Sequence, residues 1–299
     1  MIGRSPEAPT IVDRRPTVVL LAHKLLGVDE NATVSIIARR HWAEQGCRIL
    51  LHRGAKAPPP GDLAVLHVPL TRIPQRYLDL ASGYPRTVNS AVADVSKRRI
   101  STDLLRQGDP YDGPVIVKTD LNHAGGSERR ARRKARTWRK RITSALERWL
   151  PPDWFGHLPD DRYLVFDAKR AVPRWVWNCR ALVVQPLHAE RYGDLFALHQ
   201  WYFFGDHDCV STFLSNDPVV KLSSVVQRLP LHQDVPEAIR RRRAELKFDY
   251  GKFDYVIADG VPILLDANNT PHEGKGGQAH PRVHNICAML EGGLRSFLR

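Results

Sequence analysis

The stretch DYVIADGVPILLDAN (254–268) constrains the fold more than any other part of the chain. Two apolar runs flank Asp259-Gly260, a dipeptide that tolerates the positive φ angles of a tight hairpin turn, so the stretch predicts two antiparallel strands. Acidic residues stand where a core hairpin would carry apolar ones: Asp254 at the start of one strand, Asp266 and Asn268 at the end of the other. The outer ends of a hairpin lie side by side and residues two apart share a face, so these three oxygen-bearing side chains are expected to converge. A converging set of carboxylate and amide oxygens suits Mg²⁺, a hard ion that leaves its other positions to water and phosphate.

The rest of the 299-residue chain reads as α/β, with ample length for about two domains at roughly 150 residues each. TVVLLAH (17–23), CRILLH (47–52) and LAVLHV (63–68) are short apolar runs with strand character. A helical pattern spans 33–45 and a short helix opens at Pro74, which together predict a small α/β domain on a parallel sheet. A helix over about 90–106, a strand PVIVK (114–118) and a basic helix over 128–149 follow. Then come strands at 162–166, 181–185 and 195–204, and a helix at 236–248.

Forty-five basic against 32 acidic residues give a net charge of +13. Nine of the basic residues lie in 129–141 and four in the run Arg240 to Arg243, which leaves the remainder neutral. Such stretches can bind nucleic acid or an acidic substrate, or simply face solvent. No apolar run approaches the roughly 20 residues of a membrane span, and the polar N-terminus lacks a signal-peptide core. The chain is therefore read as cytoplasmic, with no membrane partner. Cys47, Cys179, Cys209 and Cys287 are too scattered for a zinc or disulfide framework and are read as reduced thiols.

The order of these features resembles the ATP-grasp superfamily, the fold of D-alanine:D-alanine ligase, glutathione synthetase and biotin carboxylase. In that family a carboxylate on one strand is followed by a hairpin turn and an acidic-x-Asn motif with Thr-Pro beyond. Here the residues are Asp254, then Asp266-Ala267-Asn268-Asn269-Thr270-Pro271. The resemblance implies a metal site of Asp254, Asp266 and Asn268. Asp266 stands where Glu is commoner, which leaves open whether one or two Mg²⁺ ions bind, and Mn²⁺ could substitute. It further implies that Lys97 and Lys118 contact the nucleotide, and that Gly125, Gly126 and Ser127 form a loop over the phosphates. Gln185, Pro186 and Leu187 would lie beside the adenine, with Glu190 or Asp194 on the ribose. Lys252, where Arg is usual, would stabilise a tetrahedral intermediate, and Lys221 is a second candidate for that role.

The implied architecture is an N-terminal pre-ATP-grasp α/β domain (1–90), a lid and central subdomain (91–188), and a C-terminal mixed-sheet subdomain with the metal site (189–299). The implied activity is an ATP- and Mg²⁺-dependent carboxylate–amine ligase that passes through an acylphosphate, acting on small-molecule or peptide substrates that could be anionic. A dimer is compatible with this reading. A non-ligating or kinase-like nucleotide-binding protein is the alternative, and a nucleic-acid-binding protein using helix 128–149 is a third. His272, Glu273 and Lys275 follow the metal motif directly and are expected to face the reacting groups. His23, at the end of the first strand, sits where such domains often bind ligand.

Overall fold

The computed structural model describes residues 15–135, 163–274 and 279–299. Three sheets organise it. The first is parallel, with strand order β2-β1-β3-β4: β1 (Thr17–Ala22), β2 (Arg48–Arg53), β3 (Leu63–His67) and β4 (Thr87–Val88). Its central strands β1 and β3 are buried along their whole length, as near-continuous Val/Leu runs require when both faces are covered. Helix α1 (Thr33–Ile37) runs on as a wider turn through Trp42, and α2 (Gln75–Ser82) follows Pro74, which stands at its N-cap.

The helix expected over 90–106 is reduced to α3 (Lys97–Ile100). Tertiary contacts override the local pattern on both sides. Asn89 adopts φ +63° and bonds to the distant Asp249 and Tyr250, and Asp94 bridges to Arg72. Beyond α3, Leu105 pairs with Val184. The second sheet is antiparallel, with order β6-β5-β7: β5 (Val115–Thr119), β6 (Leu164–Phe166) and β7 (Leu182–Pro186). Helix α4 (Gly126–Ala135) accounts for the first part of the basic helix, whose remainder lies outside the described residues. Helix α5 (Arg174–Asn178) packs on β7.

The third sheet has six strands: β8 (Glu190–Tyr192), β9 (Leu195–Phe204), β10 (His207–Ser215), β11 (Val225–Arg228), β12 (Tyr250–Ala258) and β13 (Val261–Asn268). The predicted hairpin is β12 and β13, with Asp259 at φ +50° and Gly260 at φ +78°. Its first strand begins at Tyr250, so Asp254 lies in the middle of β12 and not at its start. One face of this sheet is an aromatic core, where Phe253 packs edge-on to Trp201, Phe203 and Phe248 at 5.9, 5.1 and 5.0 Å between ring centroids. The other face carries Gln200, Tyr202, Lys252 and Asp254 in register, Lys252 opposite Tyr202 and Asp254 opposite Gln200.

Helix α6 (Glu237–Glu245) absorbs the arginine run. Arg240 pairs with Asp208 at 2.6 Å, Arg242 with Glu245, and Arg243 lies 4.1 Å from the Phe203 ring centroid while donating to three backbone carbonyls. Three of these four cations are thus structural. Helices α7 (Pro281–Leu290) and α8 (Arg295–Leu298) close the chain. All four cysteines are free thiols. Among the described residues, no helix is long and apolar enough to cross a membrane.

Candidate active site

A cleft opens between the small antiparallel sheet and the polar face of the large one. Its walls include Lys97, Lys118, Leu187, His188, Asp254 and Asp266. Asp254 and Asp266 are direct partners in the β12–β13 register, and Lys252 is the partner of Asn268, so all four side chains leave one face. Lys97 enters from the start of α3, buried, with Nζ 2.5 Å from Asp266 Oδ1. Lys118 enters from the small sheet, buried on β5.

The electrostatics of this cluster are divided. Burial raises the Asp254 carboxyl, and the Asp266 charge raises it further against the pull of Lys252. Burial would also raise Asp266, but Lys97 above all, with His123 and Lys118, outweighs it and holds that carboxyl below the ordinary range. Lys118 is lowered to about 8, first by burial and then by the neighbouring charge of Lys97. Lys252 Nζ lies 3.2 Å from Asp254 Oδ1, yet that buried oxygen accepts no hydrogen bond because the approach is poorly directed.

A divalent cation fits this arrangement. Two carboxylates face each other, one of them holding a buried oxygen with no hydrogen bond, and the second is flanked by cations that would also face phosphate. Asn268 belongs to the same face. Its Oδ1 accepts from the Thr270 N–H at 2.9 Å, and its Nδ2 lies 2.9 Å from His123 Nε2.

The glycine loop sits over this corner. His123 and Ala124 are left-handed at φ +46° and +50°, and Gly125 follows at +74°, where a side chain would also collide with Leu121. Gly126 opens α4, and Ser127 faces a neighbouring cavity beside Thr71 and Asn269. His123, which brings the loop onto Asn268, is not marked by the glycine pattern and is legible only once the loop is folded.

Pro186 and Leu187 line the cleft, whereas Gln185 is buried away from it, donating to Ser101 Oγ at 2.6 Å and to Asp103. The Leu187 N–H is already given to the Pro114 carbonyl. In an antiparallel ladder the backbone groups alternate between edges, so the Pro186 carbonyl and the His188 N–H address the side away from β5. Glu190 stands apart as well. It holds His199 Nε2 at 3.0 Å and accepts from the Ile257 N–H at 2.6 Å, on the far face of the large sheet. Asp194 is exposed in the β8–β9 turn.

Lys221 lies outside the carboxylate cluster, with its Nζ 5.3 Å from the ring centroid of Tyr163, a residue that lines the cleft. Lys252 faces a second cavity with Arg228, Arg282, His272 and Glu273. Glu273 accepts from Thr33 Oγ1 at 2.7 Å. Lys275 falls outside the described residues. His23 packs on Tyr77 and is held below the ordinary imidazole range by burial; it is His67, at the end of β3, that reaches the interface with the C-terminal segment.

No protein-family model matches the chain, and no curated protein matches it. Solved structures do. A structure of the ATP-grasp ligase PsnB, complexed with a phosphomimetic variant of its minimal precursor, Mg and ADP, is 13% identical and covers 96% of this chain and 99% of its own, at a TM-score of 0.53. A RimK domain ATP-grasp protein from Sphaerobacter thermophilus is 14% identical over 93% of this chain and 99% of its own, at 0.45. D-alanine–D-alanine ligase from Bacillus anthracis is 10% identical over 95% and 96%, at 0.40. At these identities the likeness bears on the fold, and the fold is that of the ATP-grasp proteins.

Proposed function

We propose, from the ATP-grasp fold as premise, that this chain is an ATP- and Mg²⁺-dependent carboxylate–amine ligase that releases ADP and phosphate. The observation that carries the reading is the meeting of Lys97, Lys118, Asp254 and Asp266, from three separate segments, in one cleft. Two buried lysines beside two carboxylates make poor structural material, because each buried charge costs several kcal/mol (roughly) unless compensated. A polyphosphate with its cation supplies that compensation.

In this reading the adenine lies along β7 between Ile116 and Leu198, reading the Pro186 carbonyl and the His188 N–H. Lys118 and Lys97 neutralise the phosphates. Asp254 and Asp266, with Asn268, would hold Mg²⁺, which when bound offsets charge on the transferring phosphoryl group. The substrate carboxylate oxygen attacks the γ-phosphorus and ADP leaves. The amine nitrogen, as its free base, then attacks the acyl carbon, the carbon–oxygen bond to phosphate breaks, and the departing phosphate takes up the amine's proton. Lys252 would serve the oxyanion that develops in this second step, a role supported by its ammonium lying beside Asp254 and facing the adjoining basic cavity.

Calorimetric titration with a non-hydrolysable ATP analogue, with and without Mg²⁺, tests the nucleotide half of the proposal. Hydroxylamine trapping of an ATP-dependent acyl hydroxamate from a panel of carboxylic acids tests the chemistry. Absence of Mg²⁺-dependent nucleotide binding overturns the reading. Binding with ADP release and no hydroxamate or amide with any acid would favour the kinase-like alternative.

A further inference from the structure

Next to the nucleotide cleft is a cavity of about 410 Å³, of whose lining the nucleotide reading uses only His123 and Ser127 of the glycine loop. It lies where the end of β3, the base of α4 and the segment after β13 meet, each contributing a polar side chain. Of the eight buried side-chain polar atoms without a hydrogen bond among the described residues, three belong to residues lining this one cavity: His67 Nδ1, Glu128 Oε2 and Asn269 Nδ2. His67 is 3% and Asn269 1% exposed. Buried polar groups are nearly always paired, so three orphans around one space point to a ligand that supplies the missing partners.

The chemistry of the partners follows from the orphans. Glu128 Oε1 accepts from the Thr71 N–H at 2.7 Å, which leaves Oε2 as a buried carboxylate oxygen requiring a donor, best a cationic one. Asn269 Nδ2 is a donor and requires an oxygen. Arg130 and Lys134 of α4, both exposed, also line the cavity and favour a negative group there, and the His272–Asp29 pair, 3.1 Å apart, is among the lining residues. Asn269 directly follows Asn268, so a ligand bound here lies beside the proposed metal corner.

We propose that this cavity takes the amine partner of the ligation as an α-ammonium compound, with the ammonium on Glu128 and the neighbouring carboxylate or carbonyl oxygen on Asn269. The inference rests on the ligase reading. A free α-amino acid and the N-terminus of a peptide present the same pair of groups, and both are of this class. Glu128 lies two residues beyond Gly126, in the first turn of α4, directly after the glycine loop.

The test is calorimetric titration of the nucleotide-analogue- and Mg²⁺-loaded protein with the standard α-amino acids, with dipeptides, and with their N-acetylated forms. At least one free α-ammonium compound is expected to bind, its N-acetyl form not to bind, and Glu128→Gln to weaken it by about tenfold or more while nucleotide affinity stays unchanged. Preference for dipeptides over free amino acids identifies a peptide N-terminus as the source. Binding of no α-ammonium compound to protein that binds nucleotide overturns this proposal alone, as does equal binding by Glu128→Gln. Failure to bind nucleotide overturns the ligase reading and this inference with it. Should Glu128→Gln not fold, Asn269→Ala carries the same comparison.

Discussion

Lys118 is the residue whose chemistry is most exposed to a pH experiment. With its ammonium lowered to about 8 by burial and by Lys97, it is half charged in the free protein near that pH. Phosphate oxygens favour the charged form, so in the complex its pKa lies higher. Below pH 8 both states carry the proton; above it, the complex binds more protons than the free protein, and nucleotide affinity therefore falls as pH rises, by up to about tenfold per unit. Titration at pH 8.5 in two buffers of different ionisation enthalpy should reveal proton uptake, and pH-independent affinity between 7.5 and 9 would detach the nucleotide from β5. Asp254 makes a complementary case. Its folded carboxyl is raised, so the folded state gains protons relative to the unfolded one and loses stability as pH rises through that range. Asp254→Asn is thus expected to leave the melting temperature equal or higher while lowering Mg²⁺-dependent turnover by about 100-fold or more, at or beyond the upper end of the loss for a supporting partner of a metal. A fall in both would mean a structural carboxylate. At this scale much of the site was legible: acidic and amide residues spaced by two on a hairpin declare a shared face. Gln185 and Glu190 were not, because distant partners take up their side chains, Ser101 and Asp103 for the one and His199 and the Ile257 N–H for the other.

Among the elements, the hairpin was readable because a turn dipeptide and two apolar runs are local signals. Strand β10 was not, since HDCVSTFLS shows no alternation: Asp208, Ser211, Thr212 and Ser215 are all buried in a strand covered on both faces. The helix expected over 90–106 failed for the opposite reason, a helical composition overruled by long-range bonds from Asn89 and Leu105. The packing of the β9–β10 turn on the C-terminal segment is a further feature visible only in three dimensions. Gly205, at φ +57°, and Gly293 allow the two backbones to touch, and a Cβ at Gly293 would run into the Phe204 carbonyl. Gly293→Ala is expected to destabilise the protein by about 3 kcal/mol, the upper part of the overpacking range, with denaturant midpoint as readout. A shift smaller than that of a solvent-facing Gly→Ala control would show that this contact yields freely.

In the whole molecule, the parallel sheet and the large sheet, whose pairings are all antiparallel and not mixed as expected, share one core. Val18 and Leu20 of the first, with Trp42 from the turn after α1, pack with Phe204 and Tyr250 of the second and with Ile286 and Leu290 of α7, and the Trp42 and Phe204 ring centroids are 5.0 Å apart. The small sheet has a core of its own around Val115, Val117, Val176 and Val184. The two walls of the cleft between the small and large sheets therefore belong to different cores, and narrowing it requires no repacking of either. Asn89 is the polar tie within the larger body. Fully buried, it donates from Nδ2 to the Tyr250 carbonyl at 2.7 Å and accepts at Oδ1 from the N–H groups of Asp249 and Tyr250, each at 3.0 Å. Asn89→Ala removes all three bonds, strands buried backbone groups, and places alanine at φ +63°, where asparagine is tolerated far better. A loss of about 3 to 4 kcal/mol is expected. Because the two sheets share their core, it should appear as one displaced transition, coincident in tryptophan fluorescence and in far-ultraviolet circular dichroism. Two separated transitions would mean that the parallel sheet folds independently of the sheet that carries Asp254 and Asp266.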